Sequence, residues 1–270
     1  MFIFKFLCVA TILSGSAAFA TGFAFGKNAD VARIEELLPL SRTEKVQRIQ
    51  SLGVLVQDHV FESSELRGQF LDQTHFPNIA APTIWLSSQA DEWTLVHEFI
   101  HYLLSLETSA EPLISETEKS QAQSRLSTGW KFYQKNQWHY ISPQHREQVT
   151  TAFAKVVQAQ LQQLESFELE ELAIENYLRG IFKGTRPIGF TDEAWNRSSR
   201  YMKKSGGAAL ARLKELSVSC SELELSYQRE QVPYPQEIVG LCLKVQSLRS
   251  EVATLLQGAS IRIYEPIGDK

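Results

Sequence analysis

The stretch Glu92-Trp-Thr-Leu-Val-His-Glu-Phe-Ile-His-Tyr-Leu-Leu104 constrains this chain more than any other. It reads as one helix that is apolar almost all round, the pattern of a buried helix. Leu95, Phe99, Tyr102 and Leu106 share one face, while Trp93, Ile100 and Leu104 flank the opposite one. Yet the same helix carries His97, Glu98 and His101, and polar groups in such a place need partners. An α-helix returns to the same face after about four residues, so His97 and His101 project side by side, one turn apart. Two neutral imidazoles so placed can bind one Zn²⁺, with Glu98 beside them as a candidate general base. The alternative is a pair of structural histidines hydrogen-bonded within a core.

The flanks suit the first reading. Thr83-Ile-Trp-Leu-Ser87 has the composition of a short strand, and Ser88-Gln-Ala-Asp91 supplies helix-start residues. With the HExxH spacing, residues 83–106 resemble the zincin metallopeptidases. The resemblance implies a zinc ion held by two His and a third protein ligand, with one position kept for water. A metzincin would read HExxHxxGxxH; Leu104 and Glu107 stand at its Gly and last His positions, which sets that branch aside. In the gluzincin type, a Glu from a later helix binds zinc, often in an ExxxD pattern whose acid supports a zinc-bound His. Thermolysin-like and aminopeptidase spacings would put that ligand near Ser120 or Gln121, which cannot serve, and Glu116 and Glu118 come a few positions early.

A better candidate lies further on. Ser142 to Phe182 reads as one long helix, with Pro143 at its first position, Gly184 at its end and Pro187 beyond. Its apolar stripe runs Phe153, Val157, Leu161, Leu164, Phe167, Ile174, Leu178 and Phe182, and Glu171 interrupts it. An isolated buried carboxylate is costly unless it is paired or binds metal. Glu175 follows one turn later, so Glu171-Leu-Ala-Ile-Glu175 resembles the ExxxD pair with Glu in place of Asp. The resemblance then implies Glu171 as the third zinc ligand and Glu175 as the hydrogen-bond partner of a ligand His. Glu175, Glu170 and then Glu118 are the fallback ligands. The other reading is a solvated acidic face formed by Glu165, Glu168, Glu170, Glu171 and Glu175.

Lys5, an apolar tract and Ala18-Phe-Ala20 make a signal peptide with cleavage after Ala20. The alternative is an uncleaved anchor, since the apolar tract runs on through Phe25. No later stretch approaches the length that spans a bilayer. The whole chain carries a net charge of −4, and losing Lys5 with residues 1–20 makes it −5. This mild acidity, with no basic block, argues against a nucleic-acid partner. Two cysteines then remain, Cys220 and Cys242, and an exported chain with an even count invites a disulfide; two buried free thiols are the alternative.

Residues 28–75 read as mostly helical, with Gly53–Val60 a candidate strand. Zincins often place an edge strand beside the HExxH helix, where an extended peptide adds to the sheet, and Thr83–Ser87 is the candidate edge. Residues 192–231 read as helix with a break at Gly206-Gly207. Val232-Pro-Tyr-Pro235 forms a turn, and a last helix covers 236–257. His139 with Tyr140, and Tyr177, are remote candidates for polarising a substrate oxyanion. His59, His75 and His145 read as surface or hydrogen-bonded residues.

The expected fold is therefore mainly α (α+β): a zincin-like catalytic core with a small sheet and a C-terminal helical hairpin. It divides into a signal peptide (1–20), a catalytic domain (21–190) and a helical extension packed on it (191–270). The expected function is zinc-dependent hydrolysis of a peptide or protein substrate. His97, His101 and Glu171 would hold Zn²⁺, and Glu98 would take a proton from the attacking water. The chain would be exported, periplasmic or secreted, with no stable membrane span once the signal is cleaved. The alternative class is a non-catalytic helical envelope protein with a structural zinc site or no metal, acting by partner binding. Glu98 speaks against it, because a structural site needs no general base.

Overall fold

Helices make up most of the protein, and a computed structural model of the chain describes residues 31–73, 76–107, 114–134, 143–182, 189–229 and 231–259. The signal peptide and its cleavage site lie outside the described residues, as do His75, His139 and Tyr140. Two short helices, α1 (Val31–Leu37) and α2 (Arg42–Ser51), come first. Ser41 starts α2 with a capping box: its side chain accepts from the Glu44 N–H, and Glu44 accepts from the Ser41 N–H.

Three strands follow: β1 (Leu55–Asp58), β2 (Gly68–Leu71) and β3 (Thr83–Leu86), in sheet order β1-β3-β2. β1 runs parallel to β3 and β2 antiparallel to it, with Gly68 opposite Leu86 and Phe70 opposite Ile84. β3 is thus the central strand, which corrects the expectation that Thr83–Ser87 forms the edge. Its residues Thr83, Ile84 and Leu86 are buried, as befits a strand paired on both sides. The edge on the far side of β1 is β2, within a stretch that reads as mostly helical from sequence.

The helix α3 (Glu92–Glu107) lies against β2 and β3. Asp91 caps it, its Oδ1 accepting from the Thr94 N–H at 3.0 Å and from the Thr94 hydroxyl at 3.0 Å. Residues 92–100 are buried without exception. Leu106 departs from the expected inner face and is 55% exposed, one residue before the helix ends at Glu107.

After α4 (Glu116–Gln134) come α5 (Pro143–Leu164), a π-helical turn (Glu165–Leu169) and α6 (Glu170–Ile181). The expected single helix is therefore a continuous helical path with one wide turn in it. The turn has a packing reason. An unbroken α-helix would bring Glu168 under Leu164, one turn on. The extra residue instead brings Leu169 there, and Leu164, Leu169 and Leu172 are all buried. Glu168 is left to pair with Arg212 at 2.7 Å.

The chain closes with α7 (Asp192–Arg229) and α8 (Gln236–Gly258), which pack together and are joined by the Cys220–Cys242 disulfide at a Cα separation of 5.8 Å. α7 runs unbroken through Gly206 and Gly207, against expectation. A Cβ at Gly206 would meet Leu256 Cδ2 at 2.8 Å, so the glycine serves close helix packing and not a break. Two apolar clusters result. One surrounds α3 and takes Ile174 and Leu178 from α6 and Phe182 just beyond it; the other joins α5, α7 and α8 and takes Leu172. No helix among the described residues is long and apolar enough to cross a membrane.

Candidate metal centre

The helical spacing of His97 and His101 places both rings toward α6, and both Nε2 atoms turn to the same point. They are 3.2 Å apart. Glu171 meets them there, with Oε2 at 3.0 Å from His97 Nε2 and Oε1 at 3.0 Å from His101 Nε2. Among the described residues these three side chains form the one group of His, Cys, Asp or Glu donors able to hold a metal ion. Glu171 is partly buried, its side chain 30% exposed, rather than sealed in the stripe that it interrupts.

The other nitrogen of each ring is held by a different carboxylate. His97 Nδ1 lies 3.0 Å from Glu175 Oε1, and His101 Nδ1 lies 2.7 Å from Glu170 Oε1. Glu175 is buried and receives the Trp93 indole N–H at 3.2–3.3 Å on both oxygens. Sequence reasoning named Glu170 only as a substitute ligand and gave Trp93 no polar role. The signal for Trp93 is its position four residues before His97, on the same helical face.

The electrostatics follow from this crowding of opposite charges. Burial alone would depress His97, but Glu171 and Glu175 outweigh it and hold its pKa well above the usual value. His101 is likewise depressed by burial, yet Glu170 and Glu171 raise it to about 9. Burial pushes Glu171 up, and the two histidines overcome that and hold it far below the usual carboxylate range. Glu98 goes the other way: burial raises its pKa, against the two histidines and an N–H bond from the Phe70 backbone.

Glu98 is reached by the edge strand. Ser87 donates to the Arg67 carbonyl at 2.8 Å, so by the alternation of an antiparallel ladder the backbone groups of Gly68 and Phe70 turn away from β3. β2 crosses α3 so closely that a Cβ at Gly68 would lie 2.6 Å from Thr94 Cγ2 and 2.8 Å from Glu98 Cγ and Oε1. α7 brings Tyr201 within the field of the cluster; burial and then the Glu171 carboxylate push its phenol up to about 12.

The remaining sequence candidates lie elsewhere. Glu118 pairs with Ser115 and Lys155. Tyr177 lies near Glu35, burial and that carboxylate pushing its phenol up to about 12. His59 stacks on Trp85 with ring centres 3.9 Å apart. The chain matches no protein-family model, no curated protein and no solved structure.

Proposed function

We propose that this chain is an exported zinc-dependent peptidase of gluzincin type, acting on peptide or protein substrates. The observation that carries this reading is the convergence of His97 Nε2, His101 Nε2 and the Glu171 carboxylate at 3.0–3.2 Å separations. Zinc with bonds of about 2.0–2.1 Å sets tetrahedral donors roughly 3.3–3.4 Å apart, so the spacing suits that ion with little adjustment. The donor set is also of the right kind: two imidazoles and a carboxylate, the count that leaves one position for water or substrate. Bound there, zinc would polarise a substrate carbonyl and acidify a water molecule.

The protein's own side chains supply the rest. With a metal bound, Glu175 and Glu170 would accept from the two Nδ1–H groups, leaving the Nε2 atoms of His97 and His101 free to hold it. Glu98, next to His97 in sequence and buried beside the cluster, would take a proton from the attacking water and pass it to the leaving amine. β2, an edge of the sheet, runs beside Glu98, the place where an extended substrate would add to such a sheet. Export is supported by the N-terminal sequence pattern and by the Cys220–Cys242 disulfide.

The test is metal analysis of the chain lacking residues 1–20, followed by hydrolysis of unstructured peptides. About one zinc per chain is expected, lost in the His97→Ala/His101→Ala double variant. Glu98→Gln is nearly isosteric and leaves the ligands alone; it should keep zinc and lose at least about 100-fold in turnover. Stoichiometric zinc in the double variant would place the metal elsewhere, and full turnover in Glu98→Gln would remove that residue from the chemistry.

A further inference from the structure

We infer that Glu170 is a positioning residue: it locks the His101 ring so that Nε2 alone is presented to the metal, giving the centre two separate carboxylate–histidine supports. The inference rests on the metal-centre reading above and adds to it a residue which the ExxxD pattern does not contain. Its basis is the placement of two consecutive carboxylates at the two ends of one ring. Glu171 Oε1 is 3.0 Å from His101 Nε2, and Glu170 Oε1 is 2.7 Å from His101 Nδ1. A neutral imidazole carries one N–H, and an acceptor held at one ring nitrogen keeps the proton there and leaves the other nitrogen's lone pair for a metal. With Nε2 committed to metal, the proton must sit on Nδ1, and Glu170 is the carboxylate placed to receive it.

The supports differ in kind. Glu175, on His97, is buried and shared with Trp93. Glu170 is more open, its side chain 28% exposed, and sits on the first residue of α6. Its N–H bonds to the Glu165 carbonyl, five residues back, so Glu170 closes the π turn. That turn restores the leucine stripe at Leu169 and Leu172 and leaves the Glu170–Glu171 edge of the helix toward α3. Two neighbouring carboxylates thus serve one histidine: Glu171 would share the metal with its Nε2, and Glu170 fixes its tautomer at Nδ1.

The experiment measures zinc affinity by chelator competition for the full mature chain and for Glu170→Gln, Glu170→Ala and Glu171→Ala, together with the ¹⁵N and Nδ1–H imidazole signals of His101. Glu170→Ala should weaken zinc by about 10–100-fold. Glu170→Gln keeps an acceptor oxygen and should lose less, with the His101 Nδ1–H resonance moved upfield because the charged partner is gone. Glu171→Ala should lose more than either. If the wild-type chain holds no zinc, the metal-centre reading itself fails. If wild type holds zinc and Glu171→Ala loses it, but both Glu170 variants bind as wild type with the His101 signal unmoved, Glu170 has no positioning role. Should Glu170→Ala prove unfolded by circular dichroism, Glu170→Gln decides the matter through the same two readouts.

Discussion

The Trp93 indole N–H bridges both oxygens of Glu175, and Glu175 in turn holds His97 Nδ1 at 3.0 Å. The tryptophan thus reaches the candidate metal centre through Glu175, without touching the His97, His101 and Glu171 donor atoms. Replacing it with Phe keeps most of the ring that packs against Phe182 and removes the donor. Trp93→Phe is expected to lower zinc affinity several-fold, and Glu175→Ala by about 10–100-fold. Chelator competition measures both; equal affinities in wild type and Glu175→Ala would show that His97 needs no support.

Gly68 is a point where β2 and α3 touch. An added methyl would press on Thr94 and on the Glu98 side chain at 2.6–2.8 Å. Gly68→Ala should therefore destabilise the fold by about 1–3 kcal/mol, as overpacking does. It should also lower turnover more than zinc content, because it displaces Glu98 rather than a ligand. Thermal unfolding, metal analysis and peptide hydrolysis on one preparation separate these effects, and a variant with unchanged melting and turnover would mean that β2 yields freely.

The metal-free centre should make stability depend on pH in a defined direction. His101 rises from 6.5 to about 9 on folding, with burial opposing and Glu170 and Glu171 driving the change. A raised histidine contributes stability that is complete below pH 6.5 and is lost as pH climbs through about 9. Glu171 is lowered from 4.5, so its contribution is present above that value and lost in acid. The metal-free chain should thus lose melting temperature from pH 6.5 to 9, relative to a His101→Gln control. Zinc takes the place of the Nε2 protons, so its affinity should increase over the same interval. Melting curves with chelator and with zinc test this, and a zinc affinity that falls with rising pH would overturn it.

The disulfide lies in the α7–α8 pair, whereas His97, His101 and Glu171 stand on α3 and α6. It closes a span of 22 residues, so its removal should destabilise the protein by roughly 3 kcal/mol. The Cys220→Ser/Cys242→Ser variant should melt earlier and bind zinc with unchanged affinity. Loss of zinc on reduction at temperatures well below unfolding would instead tie the hairpin to the site.

How much of this was legible depends on how local each feature is. The α3 helix and its histidine pair were readable because a 3.6-residue period and a four-residue spacing are properties of consecutive residues. Glu171 stood out because a carboxylate broke an apolar stripe. Glu170 was legible only as a fallback ligand or one acid of a solvated face, and only the three-dimensional approach of α3 shows that it faces His101 Nδ1. The π turn left no sequence mark, since the same residues suit an α-helix; it is fixed by the need to bury Leu169 beneath Leu164. β2 was missed because Gly-Gln-Phe-Leu is too short to display alternation, and its edge position depends on strand order, which no single strand encodes. The uninterrupted α7 shows packing overriding propensity: Gly206 weakens a helix in isolation, yet Leu256 requires the space.

The apolar partners of α6 change along its length. Leu172 belongs with α5, α7 and α8, whereas Ile174 and Leu178 belong with α3 and the sheet. Glu170 and Glu171 stand at the end where the first of these groups holds the helix, and the histidines they face are carried by the second. A slip of one core past the other would therefore open the gap between acid and imidazole directly. Metal uptake would clasp the halves together, and the grip of the centre on its ion would gauge how well they fit.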